Sequence, residues 1–476
     1  MPSPAKSDGG SSAAPFLPKL SLPGDATERR ASVSSAVFNV STSIIGAGIM
    51  SIPATLKILG VVPAFVLIAI VALLVDASVE FLVRFTRFGD SKTYAGLMAE
   101  SFGRFGSLAA QICIIITTSG CLIIDEIIIG TLSAHVTSMD PEASRSLICS
   151  VATINDGLNL LLGDVLCGNQ TEGSSHLGVL QEWFGVHWWN SRPIALLFVV
   201  VFLLLPLVLF RRVESLRHSS AVAVLLAVVF VGVSSVLAIA ALWEGKTESP
   251  RLLPRLDGSA AFFNIFTAVP VIVTAFTFHF NVHPIEAELA KPSDMASAVR
   301  ISLALCAAIY FTIGFFGYLL FGESIMADIL VNFDRSSATG LGSVLNDVVR
   351  LSYAFHLALV FPLLTFSLRA TADELIFPGR PPLQKDSARF VLLTGALLLL
   401  FYAAAVAIPN VWYFFQFMGS TATVSISFIF PGAIALRDAH GISSKRDKAM
   451  GMLMIIVAAA ASLIAIYSNL HSLVQR

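Results

Sequence analysis

The sequence predicts an all-α membrane protein of about eleven spanning helices, arranged as a five-plus-five inverted repeat in which helices 1 and 6 are broken. Of its 476 residues, 56% are hydrophobic and 13% are charged, whereas a soluble domain has about 25% charged residues. The apolar residues fall in blocks long enough to cross a bilayer, for which about 20 helical residues suffice. Because these blocks are continuous and not alternating, helices are predicted and a spanning β-barrel is excluded.

The chain divides into a polar tail and one membrane domain. Residues 1–32 hold Ser, Pro, Gly, Ala and charges in no periodic order and lack the apolar core of a signal peptide, so a disordered tail is predicted. Residues 33–470 are predicted to form the transmembrane domain, interrupted by a long polar loop at 136–192. The predicted spans are 34–57, 61–84, 107–133, 193–210, 219–243, 259–282, 299–321, 343–368, 387–407, 411–433 and 449–469.

The basic residues predict the orientation of these spans. If the tail is cytoplasmic, 21 of the 30 Lys and Arg residues lie on the cytoplasmic side and 9 on the other, as the positive-inside rule requires. The loop at 136–192 then faces the lumen or the exterior, where Asn169 of an Asn-Gln-Thr sequon can be glycosylated. Cys149 and Cys167 in the same loop are predicted to form a disulfide, with two free thiols as the alternative. The net charge of −1 gives no sign of a nucleic-acid partner.

Two glycines and a proline interrupt span 1. Gly46 and Gly48 flank Ala47, and Pro53 follows, which weakens the helix near its middle. If a helix restarts here, its first N–H groups are suited to bind a carboxylate. The last carbonyls of the preceding half, together with Asn39, could hold an ammonium group or a cation. The alternative is an ordinary helix-packing face of small residues.

Span 6 has a matching interruption. It contains Pro270 and then polar groups through its second half, from Thr274 to His283. Broken first helices in the two halves of a chain are typical of an inverted repeat with a binding site between them. Spans 1–5 and 6–10 would be the two repeats, and because five is odd, the second repeat enters the membrane from the opposite side.

Four stretches of the sequence resemble the amino acid/auxin permease family. They are Asn39 with Gly46-Ala47-Gly48 and Ser51-Ile52-Pro53, Ala275–His279 with His283–Leu289, Phe316–Gly322, and Phe361–Phe366. They occur in the family's order within residues 32–470, and the branch they resemble most is that of the neutral amino acid transporters, which includes plant vacuolar forms. The resemblance implies eleven helices, no cofactor, and secondary active transport of an amino acid that binds near the two breaks.

The resemblance also implies roles for individual residues. The glycine stretch would bind the substrate carboxylate, and the broken part of span 6 would line the side-chain pocket. The expected substrate-binding residues are Gly46, Ala47, Gly48, Thr42, Ala275, Phe276 and Thr277. Asn39 matches an asparagine implicated in cation coordination in sodium-coupled members, which also use a hydroxyl in the middle of span 8. Here that stretch reads Phe355-His356-Leu357-Ala358-Leu359-Val360, and this departure favours a proton over sodium as the coupling ion.

Charged side chains within spans are costly, so each is a candidate for ion coupling. Asp125 and Glu126 lie together in span 3, and because adjacent helical positions point about 100° apart, at most one can aim at a central cavity. A buried carboxylate there could carry a proton, and a structural hydrogen bond is the alternative. Asp76 in span 2 and His356 in span 8 are further ion-coupling candidates.

Other functions and sites fit the sequence less well. His279 and His283 have a spacing that suits a metal, but without a nearby third ligand no metal site is predicted, and polar packing or a gate is preferred. A membrane enzyme would need a convergent set of catalytic groups, which the sequence does not suggest. An amino-acid sensor with a transporter fold and a sodium-coupled amino acid symporter remain alternatives. The predicted location is a vacuolar or lysosome-like membrane or the plasma membrane.

Overall fold

The computed structural model describes residues 32–133, 179–185, 187–210, 216–256, 259–334, 341–381, 383–408 and 411–474. Every secondary-structure element within these ranges is a helix, so the predicted all-α class is confirmed. Cys149, Cys167 and Asn169 lie outside the described residues, as does the predicted tail up to residue 31.

The helices follow one another in the predicted order. Short 3₁₀ turns join several of them, and α6 contains a π-helical turn at Val200–Leu204. The helices are α1 (Val33–Ile44), α2 (Gly48–Leu59), α3 (Val61–Phe88), α4 (Tyr94–Ser133), α5 (Val179–Phe184), α6 (Arg192–Val208), α7 (Arg217–Trp243), α8 (Ser259–Ala275), α9 (His279–Glu288), α10 (Met295–Phe321), α11 (Ile329–Asp334), α12 (Leu341–Ile376), α13 (Ser387–Ala407), α14 (Val411–Met418), α15 (Phe430–Arg437) and α16 (Lys445–Val474).

The membrane spans agree with the prediction. Nine helical segments in the described residues are long and apolar enough to cross a bilayer, and the bent pair α1–α2 adds a tenth. The shorter apolar helix α6 takes the place of predicted span 4. The structure differs from the prediction in two places. The helix of span 3, α4, begins at Tyr94, before the predicted start of that span, and a short helix that was not predicted, α11, lies between spans 7 and 8.

Spans 1 and 6 are both broken. In span 1, α1 ends at Ile44 and α2 begins at Gly48, and their axes are bent by 57°. In span 6, α8 ends at Ala275 and α9 begins at His279. Phe278, just before α9, has φ −136° and ψ 13°, which is not helical. The Gly and Pro signals therefore predicted the position of the first break closely.

Span 10 is continuous but is not a uniform α-helix. Between α14 and α15 the chain makes two π-helical turns, Gly419–Thr423 and Ser425–Ile429. Such turns place an extra residue in the helix and are frequent at functional sites. The added Cβ of any residue at Gly419 would lie 2.5 Å from the carbonyl oxygen of Pro270, so the first π turn packs tightly against α8.

Burial separates central spans from peripheral ones. In the most apolar 18-residue stretch of each span, 83% of residues are buried in span 6 and 72% in span 8, against 28% in spans 9 and 11. Large apolar side chains such as Leu392 on α13 point outwards, at 75% exposed. Lipid is as apolar as these side chains, so helix association here depends on packing and interhelical hydrogen bonds more than on the hydrophobic effect. The centre of the bundle is consequently where polar groups must be satisfied by protein partners.

Candidate functional site

A small cavity lies between the two breaks. The cavity volume is about 20 Å³, enough for one water molecule. Its walls come from α1, the first break, α4, the second break, α12 and α14. They are formed by Ser43, Ile44, Gly46, Ala47, Gly48, Cys121, Asp125, Thr274, Ala275, Thr277, Phe280, Leu364 and Phe415.

The two breaks touch at Gly48. A Cβ added at Gly48 would lie 2.7 Å from the Cα and 2.8 Å from the Cβ of Ala275, closer than real Cβ contacts. A Cβ at Gly46 would meet nothing within 4 Å. Gly48 is therefore required for the close approach of the breaks, whereas Gly46 leaves space at the cavity.

Three consecutive carbonyl groups at the end of α1 each lie within hydrogen-bond distance of a polar side chain from a distant helix. Tyr310 on α10 donates to the Ile44 carbonyl at 2.8 Å, and Tyr353 on α12 donates to that of Gly46 at 2.6 Å. Nε2 of His356, also on α12, lies 2.8 Å from the Ile45 carbonyl oxygen. These carbonyls, which the sequence suggested for an ammonium group or a cation, thus already have protein partners.

The second break is held mainly by its own residues. The Thr274 hydroxyl donates to the Pro270 carbonyl at 2.8 Å, and the Thr277 hydroxyl lies 2.7 Å from the carbonyl oxygen of Val273. Thr277 also lies 2.8 Å from the hydroxyl of Ser427 in the second π turn. The one long-range donor to a carbonyl of this break in the described structure is Tyr310, which reaches the Ala275 carbonyl at 2.7 Å. Tyr310 therefore bridges both breaks, and its single hydroxyl proton is shared between the Ile44 and Ala275 carbonyls.

Asp125 lies at the cavity and Glu126 does not. Both are fully buried, and their carboxylate oxygens have no hydrogen bond of ordinary geometry within the described part of the chain. Asp125 faces the backbone N–H of Ala47, one of the groups expected to bind a substrate carboxylate. Glu126 lies near Tyr402 of α13 instead. The two side chains diverge as adjacent helical positions must.

The other sequence-predicted residues fall into three groups. Gly46, Ala47, Gly48, Ala275 and Thr277 line the cavity. Two neighbours point elsewhere: the Thr42 hydroxyl donates to the Ser220 carbonyl of α7 at 3.0 Å, and the Phe276 ring packs edge-on against Tyr310 at 4.9 Å.

Asn39 and Asp76 make up the third group. The side-chain oxygen of Asn39 is buried with no hydrogen-bond partner among the described residues. The backbone carbonyl of Asn39 accepts a hydrogen bond from the Ser43 hydroxyl at 2.8 Å. Asp76 pairs with Arg300 at 3.3 Å in a largely exposed ion pair, away from the cavity-lining residues.

Polar contacts tie both ends of the bundle around this centre. On the side where α1 begins, His279 lies 2.7 Å from the Ser78 hydroxyl and His283 lies 2.8 Å from that of Thr86. On the opposite side, Arg251 pairs with Glu323 at 2.7 Å and donates to the Lys57 carbonyl at 2.6 Å.

Sequence reasoning did not find Tyr310 and Tyr353. Both are tyrosines in the middle of apolar spans, and both are fully buried. A hydroxyl at such a depth must find an acceptor, and this is the signal that could have marked them. Their common target, a broken span, could have been guessed from the same reasoning.

Comparisons with known proteins agree with this architecture. Residues 29–152 and 172–473 match the family model described as "Transmembrane amino acid transporter protein". Amino acid transporter AVT6C of Arabidopsis thaliana is 56% identical over 96% of this chain and 98% of its own length. Amino acid transporter AVT6D of the same plant is 52% identical over 96% and 97%. Sodium-coupled neutral amino acid transporter 7 of Danio rerio is 24% identical over 94% and 89%.

Solved structures share the fold at low identity. The structure of MhsT in complex with L-phenylalanine has a TM-score of 0.54 and 14% identity, covering 93% of this chain and all of the other. A mutant form of the manganese transporter of Eremococcus coleocola has a TM-score of 0.52 and 15% identity over 92% and 86%. These two likenesses concern the arrangement of the helices only.

Proposed function

The chain belongs to the transmembrane amino acid transporter family, and from that premise we propose that it carries a neutral amino acid together with a proton across a membrane by alternating access. The observation that supports this most is the cavity where the N–H groups at the start of α2 meet the second break and the carboxyl group of Asp125. A secondary transporter of this design binds its substrate between two broken helices and opens the site to each side in turn.

The cavity lining favours a neutral substrate. The lining residues include one carboxylate, Asp125, and no Lys or Arg. An acidic substrate side chain would be buried there without a cation, which is costly. The lining from Phe280, Leu364 and Phe415 suits an apolar side chain.

Asp125 offers a physical reason for proton coupling. It faces the Ala47 N–H, where the negative substrate carboxylate is expected. A substrate carboxylate bound beside Asp125 would place two negative charges in a buried site, which favours uptake of one proton with the substrate. A protonated Asp125 can also donate a hydrogen bond to the substrate carboxylate. Substrate and proton would therefore bind together, as symport requires.

Sodium coupling is the second candidate, because the buried Asn39 side-chain oxygen has no partner among the described residues and some relatives are named as sodium-coupled. The carbonyls near Asn39 do not support it, since Tyr310, His356 and Tyr353 already occupy those of residues 44–46. If the protein binds an amino acid but does not transport it, we would infer a sensor with the same fold.

The orientation and the loop chemistry complete the proposal. With residues 1–32 in the cytoplasm, the loop at 136–192 lies in the lumen of a vacuolar or lysosome-like compartment or outside the plasma membrane. Asn169 would then be glycosylated and Cys149 joined to Cys167. Deglycosylation of the expressed wild-type protein should increase its gel mobility, and Asn169→Gln should remove that shift. If deglycosylation leaves the mobility of the wild-type protein unchanged, this orientation is contradicted.

The test of function is uptake of labelled amino acids into proteoliposomes under an imposed pH gradient or sodium gradient. The panel should include neutral, acidic and basic amino acids. Accumulation of neutral amino acids with the pH gradient alone is expected, with loss of accumulation but not of binding in Asp125→Asn. Asp76→Asn is the matched control, because Asp76 pairs with Arg300 outside the cavity. Accumulation with the sodium gradient alone, or of acidic substrates alone, would contradict the proposal.

A further inference from the structure

His356 has an unusual pair of neighbours. Its Nδ1 atom lies 2.6 Å from the carbonyl oxygen of Ala223 on α7, and its Nε2 atom lies 2.8 Å from that of Ile45 at the end of α1. The side chain is fully buried. It therefore connects the first break to span 5 from a position on span 8.

The hydrogen-bond chemistry of this arrangement favours a ring with a proton on each nitrogen. A carbonyl oxygen only accepts hydrogen bonds, and a neutral imidazole carries a proton on one nitrogen only. One of the two contacts would then set a nitrogen lone pair against an oxygen lone pair at hydrogen-bond distance. The doubly protonated imidazolium donates to both carbonyls and removes this repulsion.

The surroundings offset the cost of burying this positive charge. Ile45 is the C-cap residue of α1, so the ring lies at the negative end of a helix dipole, a position that stabilises cations. The ring of Tyr353 is stacked on it at 4.9 Å between centroids, and an aromatic face attracts a cation. Two carbonyls, a helix C-terminus and a ring face together replace much of the lost hydration.

Few other titratable groups face His356. On its own helix the neighbour is Tyr353; α10 contributes Tyr310, on the adjacent carbonyl, and α4 contributes Asp125, which interacts with Tyr353. Asp328, before α11, also interacts with Tyr353. The described part of α1 holds no titratable residue, and α7 has only Arg217 and His218 in its first turn. Among the described residues of these helices, no lysine or arginine is thus placed to compete for the two carbonyls.

We propose that His356, as an imidazolium, is a built-in cation that holds the broken span 1 against span 5 and closes the site without a bound metal ion. The inference deepens the proposed function, on which it rests for the meaning of closure in transport. His356 is a positioning residue here: it acts on the substrate site through the Ile45 carbonyl. Loss of its charge removes one of the two ties and frees the first break to move.

The first test measures the ionisation state directly and requires no transport. Protein labelled with ¹⁵N-histidine is placed in lipid bilayers, and nitrogen NMR spectra are recorded at pH 7.5, where exposed histidines, with pKa values of about 6.5, are mostly neutral. We expect one of the nine histidines to keep both ring nitrogens protonated, with that signal absent in His356→Gln. A spectrum in which every histidine is neutral at pH 7.5 would overturn the inference.

The second test measures substrate exchange with no ion gradient. His356→Gln should lower exchange at least ~10-fold at pH 7, the effect of losing about 1.4 kcal/mol, while His356→Lys, which keeps a buried cation with several donors, should retain more of it. His218→Gln, an exposed histidine at the start of α7, should exchange at the wild-type rate. Full exchange in a folded His356→Gln would overturn the inference.

The two proposals fail separately. If the imidazolium signal is present but no amino acid is taken up in any gradient, the proposed function is wrong and the charge of His356 stands. If neutral amino acids accumulate with the pH gradient but the His356 signal is that of a neutral ring, transport stands and the built-in cation is wrong. If His356→Gln does not fold, the His356 signal in the wild-type spectrum can be assigned from its absence in His356→Lys. The wild-type spectrum then still decides whether the ring is charged.

Discussion

The two breaks face one cavity but are stabilised in different ways. At the first, side chains from α10 and α12 occupy the carbonyls of residues 44, 45 and 46. At the second, Thr274 and Thr277 bond to carbonyls one turn earlier in their own helix. The first break is therefore imposed by tertiary contacts, whereas the second is largely local. A change in how the helices pack should alter the first break more than the second.

Among single-methyl changes, the largest effect is expected where the breaks touch. In Gly48→Ala the new Cβ would lie 2.7 Å from the Ala275 backbone, and overpacking of this kind costs about 1–3 kcal/mol. We expect uptake to fall at least ~10-fold, since the breaks can no longer approach. Gly46→Ala is the matched control, because its Cβ meets nothing within 4 Å. Equal uptake by the two variants would mean that the breaks do not need this contact.

A bulky residue at Gly46 sharpens the same contrast. Gly46→Leu should fill the cavity and abolish uptake while the protein still elutes as a folded, monodisperse species in detergent. The same substitution at Gly48 should lower thermal stability as well, because it must displace Ala275. Normal substrate affinity in Gly46→Leu would exclude the assigned cavity as the binding site.

Removal of the hydroxyl that serves both breaks should have the next largest effect. Tyr310→Phe leaves the buried carbonyls of Ile44 and Ala275 without their donor, and an unsatisfied buried polar group costs about 1–3 kcal/mol. We expect a lower melting temperature in detergent and slower uptake. A melting temperature equal to that of wild type would show that neither break relies on this tyrosine.

A paired comparison then tests the difference between the breaks. Tyr353→Phe removes a distant donor from the first break, and Thr274→Val removes a local one from the second. We expect the Tyr353 change to cost about 1–2 kcal/mol and the Thr274 change less than about 1 kcal/mol, because the local backbone can relax around it. The melting temperatures of the two variants are measured side by side, and a lower value for Thr274→Val would contradict the comparison.

The smallest effect concerns pH on the side of the bundle opposite the start of α1. Burial raises the pKa of Asp328 to about 6, although the Leu330 N–H that it accepts lowers it in part. The folded protein thus binds a proton there that the unfolded chain releases at about 3.9, so Asp328 makes the protein less stable as the pH rises through about 6. The melting temperature of wild type relative to Asp328→Asn should be higher at pH 5 than at pH 7.5. If the difference in melting temperature between wild type and Asp328→Asn were the same at both pH values, Asp328 would not be the source of a pH-dependent stability.

The sequence was sufficient for the spans and for the places where two of them break. Lipid cannot satisfy backbone polar groups, so a continuous apolar block leaves few alternatives to a helix. The position of the first break could also be predicted locally, because the two glycines of Gly46-Ala47-Gly48 weaken a helix. Asp125 was also found, because a carboxylate at that depth needs an explanation.

The partners across the cavity could not be predicted. Which face Thr42 presents depends on the turn at which the helix stops, and its hydroxyl bonds to α7 instead of lining the cavity. The donors Tyr310 and Tyr353 are separated from the first break by some 260 to 310 positions of sequence, and only the packing of α10 and α12 brings them there. The same holds for the two carbonyls around His356.

The two π turns of span 10 have a consequence for how its polar residues are read. Each extra residue rotates the following part of the helix by about 100° relative to an α-helix. With both turns in place, Ser427 meets Thr277 at 2.8 Å, and the Ile426 carbonyl accepts from Tyr94 at 2.6 Å. A helical-wheel projection drawn with about 3.6 residues per turn from Val411 would assign these groups to the wrong side of the helix. Cysteine-accessibility scans of span 10 should accordingly lose their regular periodicity between Gly419 and Ile429.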